Sequence, residues 1–205
     1  MKYTIFFLIL LISGCATSDI TLNSHALKPV KIITIVPFTS EVSLKKEILR
    51  EAEDYFKTAF VKMGYKISES DKLNQAMEKD NLSVFTTDNV KRIGKLTGAD
   101  AVLFGEITEH NEVTKEDMFY IGSFMSGVLY NKSHEEMKYV TRYTFRIVIR
   151  LADVSDGSVI LAMNNRYKEI KQEENLQCCS SLDAYRKYTL KKLTDELIET
   201  IKEKD

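Results

Sequence analysis

The chain has 205 residues, a length that argues for one domain with a short appendage. At 44% hydrophobic and 29% charged it has the composition of an ordinary globular domain, and its two prolines and eight glycines exclude collagen-like and Pro/Gly-linker architectures. The 29 Lys and Arg against 30 Asp and Glu give a formal charge of −1 without a basic tail or stripe, so nucleic acid is not an expected partner.

The first residues carry an address. Lys2 is a short positive n-region, and Ile5 to Ile12 is an apolar run far below the ~18 residues of a membrane-spanning helix. Ile12-Ser13-Gly14-Cys15 then has the pattern of a bacterial lipobox, in which small residues precede a cysteine whose thiol takes a diacylglyceryl group before cleavage. Residues 1–14 are therefore expected to be a lipoprotein signal peptide, with Cys15 as the lipidated first residue of the mature chain. The bland alternative is an ordinary signal peptide with Cys15 near its cut. Diacylglycerol and an acyl chain on Cys15 would be the only attached groups; no other cofactor is expected. Several chains on one residue anchor a protein firmly where one chain binds marginally. Removal of Lys2 takes the mature charge to 28 − 30 = −2. Ala16 and Thr17 place no aspartate beside the cysteine. In bacteria with two membranes that pattern points to an outer-membrane lipoprotein facing the periplasm.

Residues 15–29 are polar, lack periodicity and end in Pro29, so they read as a lipidated tether ahead of a domain spanning 30–205. Val30 to Phe38 holds a β-branched run, Ile32 to Val36, stopped by Pro37: a buried strand. Ser43 is placed to cap a helix with Leu44, Ile48, Ala52, Tyr55, Phe56, Ala59, Phe60 and Met63 on one face, ended by Gly64. Tyr65 to Ile67 is a short strand. Asp71 caps a helix with Leu73, Ala76 and Met77, and Asp88 another with Val90, Ile93 and Leu96, closed by Gly98. Ala99 to Gly105 is a central strand, apolar on both faces. From Tyr139 to Leu151 the chain alternates strictly. Tyr143, Phe145, Ile147 and Ile149 fall on one face and Arg142, Arg146 and Arg150 on the other, over roughly 43 Å of strand. Asp156-Gly157 signals a hairpin turn to an antiparallel partner, Ser158 to Tyr167. Asp183 caps a last amphipathic helix with Tyr188, Leu190, Leu193, Leu197 and Ile201 inward. The expected fold is α/β with an α+β tendency. It is a mixed twisted sheet with helices packed on one side, a long antiparallel hairpin in the second half, and a C-terminal amphipathic helix.

The strand at Lys31–Phe38, the phrase Lys62-Met63-Gly64-Tyr65-Lys66-Ile67 and above all Gly94 to Ile107 resemble the CsgG-like family of bacterial lipoproteins. Arg150 to Ile160 is similar to that family's hairpin, and the likeness spans about residues 31–163. The resemblance implies a periplasmic α/β domain with one of two jobs. Relatives of the LpoB type dock on envelope machines and activate peptidoglycan synthases; the curli-transport type forms a ring-shaped outer-membrane secretion channel. Two departures speak against the channel. Only Thr39 to Ser43 separates the first strand from its helix, where channel members carry a long constriction loop. At most one membrane hairpin is offered, Met118–Tyr130 paired with Tyr139–Leu151, since Asn164–Leu176 is too charged to face lipid.

The aromatic segment Met118–Tyr130, with Phe119, Tyr120, Phe124 and Tyr130, fits three roles. It can be a membrane strand with Arg142, Arg146 and Arg150 lining a lumen, a piece of core against the helices, or an apolar loop that docks a partner or a sibling subunit. Catalytic constellations are scarce. His25, His110 and His134 share no metal-ligand spacing, so no metal site is expected. Gly94-Lys95-Leu96-Thr97 lacks the earlier glycine and the Ser/Thr of a phosphate loop. Cys178-Cys179 can form a vicinal disulfide, pair between subunits, or stay reduced; redox catalysis more often uses Cys-x-x-Cys. The sequence thus points to a non-enzymatic, membrane-anchored envelope lipoprotein that acts as an assembly, interaction or activator module. The alternative is a ring-forming secretion-channel component of the curli-transport type. An envelope protein is the expected partner, and self-association stays open.

Overall fold

The computed structural model describes residues 17–68, 84–117, 138–172 and 181–204, together with Leu73, Met77 and Leu82. In chain order these form β1 (Thr17–Leu22), α1 (Ser24–Leu27), β2 (Ile32–Ile35), β3 (Thr39–Ser40), α2 (Lys46–Lys62), β4 (Lys66–Ile67), α3 (Thr87–Thr97), β5 (Ala101–Asp117), β6 (Lys138–Asp153), β7 (Val159–Gln172) and α4 (Leu182–Lys204). The strands make one mixed seven-stranded sheet in the order β1-β7-β6-β5-β2-β4, with β3 also on β5. β2 and β3 run parallel to β5, and β4 parallel to β2. β5, β6, β7 and β1 form an antiparallel meander. The mixed sheet, long hairpin and C-terminal helix expected from the sequence are all present.

Alternation on β6 sorts the two faces. Phe145, Ile147, Ile149 and Leu151 are buried under the two long helices, against Phe56 and Phe60 of α2 and Leu190, Leu193, Leu197 and Ile201 of α4. Burial of side chains this size stabilises by about 1.5–3 kcal/mol each, which is why the meander and both helices form together. Among the described residues the opposite face is covered only at its parallel end, where Val90 and Ile93 of α3, with Leu73 and Leu82, pack on Val36, Val102, Phe104 and Ala152, so the helices are not confined to one side as expected. Leu73 and Met77 are helical, as their spacing predicts. The carboxylate of Asp100 accepts hydrogen bonds from the N–H groups of Lys31 and Ile32, both at 2.9 Å, and so fixes where β2 meets the start of β5. Gly98 closes α3 in the left-handed region at φ 68°.

Several local expectations differ from what the chain does. The stretch read as a tether contains β1 and the helical turn α1. Ile20 and Leu22 pack against the core, Leu27 and Val30 are buried, and Asn23 caps the turn by accepting from the Ala26 N–H at 3.2 Å. β7 would otherwise present an unpaired edge, and β1 satisfies it along six residue pairs. Two apolar side chains among threonines, serine and aspartate are too faint an alternation to announce a strand. The hairpin pairing is also different. β6 pairs with β5 from Lys138 to Asp153 and with β7 from Val140 to Ala152, so it has no edge left for Met118–Tyr130. The central strand expected over 99–105 instead runs to Asp117. Caps shift as well. α2 starts after Lys45 without a side-chain cap, so Ser43 does not cap it; Thr86 rather than Asp88 caps α3. At α4 the Ser181 hydroxyl accepts from the Ala184 N–H, while Asp183 turns to ion pairs. Tyr188 is exposed; Tyr185, Arg186 and Thr189 are the buried residues of that turn.

Candidate functional site

The arginines singled out in the sequence do share one face. Arg142, Arg146 and Arg150 recur every four residues of β6, about 14 Å apart at the strand rise, on the side away from α2 and α4. Register brings Arg166 of β7 directly opposite Arg146. Two like charges facing each other across strands repel, and a carboxylate resolves the conflict. Glu109 of β5, the other neighbour of Arg146, accepts from Nε and Nη2 of Arg166 at 3.1 and 2.9 Å and lies 3.8 Å from Nη1 of Arg146. Arg146 Nε donates to Asn164 Oδ1 at 3.2 Å. Arg142 is exposed and has no ion pair among the described residues. Exposed pairs of this kind contribute little stability, so their main effect is to hold guanidinium planes in place.

Glu109 reaches this face through a β-bulge. Ile107 pairs with Ile147 and Glu109 with Arg146, leaving Thr108 as the extra residue. Before the bulge the odd residues of β5 face the helices; after it, the even ones do. Without it Glu109 would point into the core and His110 at the arginines. Instead His110 sits edge-on to Phe145, ring centroids 6.1 Å apart.

Arg150 stands apart from the row. Its guanidinium lies 5.4 Å from the centre of the Phe85 ring, and Phe85 meets Phe104 edge-on at 5.4 Å. Together with Glu106 and Val148 they border a recess of about 390 Å³. A larger cleft, about 930 Å³, opens on the helix side between α2 and the start of α4, and His110, Glu51 and Arg186 line it. Arg186, nearly fully buried, is neutralised by Glu51 at 2.5 Å and by Asp183. Burial, reinforced by the Arg186 charge, holds the His110 pKa below its ordinary value. Burial and the Glu196 carboxylate, which accepts from its hydroxyl at 3.1 Å, push Tyr167 up.

Of the residues named from sequence, the structure unites Arg142, Arg146 and Arg150. Cys15, Phe119, Tyr120, Phe124, Tyr130, Cys178 and Cys179 lie outside the described residues. Arg166 was one residue from the reach of sequence reasoning, since counting from the Asp156-Gly157 turn pairs Arg146 with Tyr167, and the turn's own pairing with the register shift at Leu151/Ala152 supplies the difference. Glu109 was not, because nothing in the sequence marks the bulge. Among the described residues no group of three His, Cys, Asp or Glu is placed to hold a metal ion. Nor is any described helix long and apolar enough to cross a membrane, which leaves strands unaddressed.

No family model matches the chain, and no curated protein matches it. Among solved structures it is similar to a lipoprotein of Neisseria meningitidis, at 16% identity over 84% of this chain and 99% of the other, with a TM-score of 0.46. It is also similar to the PelC dodecamer of Paraburkholderia phytofirmans, at 16% identity, 87% and 95% coverage and a TM-score of 0.42. A third likeness is to LpoB of E. coli, at 14% identity, 73% and 64% coverage and a TM-score of 0.41. Identities and scores this low leave the function to the chain's own residues.

Proposed function

We propose that the chain is a bacterial envelope lipoprotein, anchored through acylated Cys15 in the outer membrane and facing the periplasm, and that it works by binding rather than catalysis. The sequence supports the address: a positive n-region, an apolar run and a lipobox cysteine in immediate succession. The observation that carries the binding role is the sheet face that, beyond its parallel end, no described residue covers. Arg142, Arg146, Arg150 and Arg166 stand on a face that α2 and α4 leave free, and Glu109, Asn164 and Phe85 hold the last three in orientation. Guanidinium forks fixed in this way suit carboxylates and phosphates of a partner. The aromatic residues Phe119, Tyr120, Phe124 and Tyr130 follow β5 in the chain and belong to the same proposed surface. The CsgG-like resemblance is part of this proposal, as is a disulfide at Cys178 and Cys179.

A secretion channel is the competing class. A membrane strand needs one apolar face. In Glu112-Val113-Thr114-Lys115-Glu116-Asp117 both alternating sets contain charges, which disfavours this end of β5 as a barrel strand.

The test joins two measurements. A palmitate analogue should label the wild-type chain and not Cys15→Ser, with membrane fractionation following the label. A photo-crosslinker at position 150 should then capture one envelope protein in living cells, whereas one at exposed Tyr188 should not. An unlabelled wild type removes the anchor. Large detergent-stable rings that conduct ions in planar bilayers would replace the module with a channel.

A further inference from the structure

The register of β1 constrains how an acylated chain can stand on a membrane. Thr17, its first residue, is level with Arg166 on β7, and through Arg166 with Arg146 and Glu109. One residue separates Thr17 from Cys15, so the two Cα atoms lie at most about 7.6 Å apart, whatever the path between them. The long strands continue much farther in the direction from which β1 enters. From Glu109 to Asp117, and from Arg146 back to Lys138, each runs eight residues, roughly 27 Å at the strand rise. A lipid-anchored residue is thus tied to the middle of the sheet, well short of its end.

An upright sheet would drive the ends of β5 and β6 into the bilayer. Those ends carry Glu112, Lys115, Glu116, Asp117 and Lys138, and charges of that density do not enter hydrocarbon cheaply. The arrangement that keeps those charges in water is for the sheet to lie over, with one face towards the lipid. On one side α2 and α4 stand between sheet and solvent. On the other, no described residue covers the part of the sheet that extends past the start of β1, and that part presents Arg142, Arg146 and Arg166. Asp19, Glu106 and Glu109 are acids of that face, joined by Asp117 at the outer end of β5 by register, and Glu109 is already engaged by Arg166.

The geometry points to a membrane-facing surface: the part of the arginine face from the level of Thr17 outward, with Arg146, Arg166 and Arg142, lies on the bilayer, its guanidiniums on lipid phosphates. Arg150 and the Phe85–Phe104 recess, one further four-residue step along β6, are left clear for the protein partner. This orientation rests on acylation of Cys15, and it makes the domain a fixed platform rather than a tethered one.

The experiment uses the acylated full chain in vesicles of phosphatidylethanolamine and phosphatidylglycerol. In a Cys178→Ser, Cys179→Ser background, a fluorophore is placed by Val113→Cys, on the arginine face beside Arg142, or by Ser155→Cys, in the turn at the far end. Quenchers attached to lipid headgroups should dim the label at 113 and spare the one at 155. The difference should be lost when Arg142, Arg146 and Arg166 are all changed to Gln, and when a flexible Gly-Ser linker is inserted before Thr17. Equal quenching at both positions, or a difference that survives the linker, overturns the orientation. Failure of acylation shows separately, as an unmodified mass and protein that does not float with the vesicles; it overturns the anchor and the orientation together.

Discussion

Alanine at Gly105 is the most direct probe of how the parallel end of the sheet is packed. Gly105 is a buried β5 residue paired with Ile149, and its backbone is ordinary strand. A Cβ built there would lie 2.4 Å from Cζ of Phe38 and 2.5 Å from Cε1 and Cε2, about 1 Å inside ordinary van der Waals contact. The ring has no room to retreat. Its far side meets fully buried Phe56 with centroids 5.8 Å apart, and the Phe38 N–H is held by Glu53 at 2.8 Å. Relief therefore means moving α2 away from the sheet. Overpacking of a tight core costs about 1–3 kcal/mol, and a rigid aromatic obstacle puts Gly105→Ala in the upper part of that range. For a domain of this size the expected fall in Tm is roughly 4–12 °C. Urea unfolding followed by circular dichroism measures the cost, with Phe38→Leu and the double variant completing a cycle. The smaller side chain should make room for the methyl group, so the double variant should lose less than the sum of the singles, by about 1 kcal/mol or more. A Gly105→Ala chain that melts with the wild type, or two costs that simply add, would refute the packing described for this corner.

Three further outcomes are expected. His110 has its pKa lowered by burial and Arg186, so its stabilising contribution is present above about pH 6.5 and is lost as pH falls through the folded value. His110→Gln should flatten the acid-side loss of Tm; parallel curves for the two chains would contradict this. Arg186 is the buried member of its ion-pair cluster, its side chain 5% exposed against 25% for Glu51 and 56% for Asp183. Glu51→Gln strands a buried guanidinium, whereas Arg186→Met leaves carboxylates that water can reach, so the glutamate change should be the costlier in urea. The opposite ranking would show that the guanidinium is not desolvated. Deleting Thr108 removes the one unpaired residue of β5 and should keep residues 109–117 in register with β6. Deleting Asn111 instead slides the strand by one and turns its faces over. Comparable melting losses for the two deletions would argue against the bulge.

What the sequence disclosed follows from the strength of local patterns. The face of α2 from Ala52 to Phe60 and the alternation of β6 are strong periodic signals, because each element buries one side against a single layer. Gly98 and Gly157 were legible as chain reversals, and both adopt positive φ. The arginine row was legible for the same reason as the core beneath it. Partner choice was not. Met118–Tyr130 reads as a strand beside β6 only while the outer half of β5, rich in Glu, Asn and Thr, is taken for a loop. That half has few apolar residues because one of its faces meets solvent, and it is held by ladder hydrogen bonds that leave no compositional trace. β1 escaped notice on similar grounds, since its edge position demands only Ile20 and Leu22 inward.

The two features that periodicity hides are the ones that assemble the site. The bulge at Thr108 swaps the faces of β5 midway, which delivers Glu109 to Arg146 and Arg166 and keeps His110 under the helix layer. The pairing of β1 with β7 covers six residues of that strand's edge and brings Thr17 to the same cross-strand row as Arg166, Arg146 and Glu109. Ladder and charge are consequently coupled along that row. Unpairing β1 would return slack to the proposed anchor, and unbulging β5 without deleting a residue would send Glu109 inward and leave two arginines in mutual repulsion. Unpairing β1 takes only the half-buried Ile20 and Leu22 from the edge of the core, so by that route the orientation of the charged face is lost at small cost to the fold, whereas unbulging β5 also buries a carboxylate. Substitutions along this row should therefore disturb what the protein touches well before they disturb its stability, the reverse of what Gly105 does at the other end of the sheet.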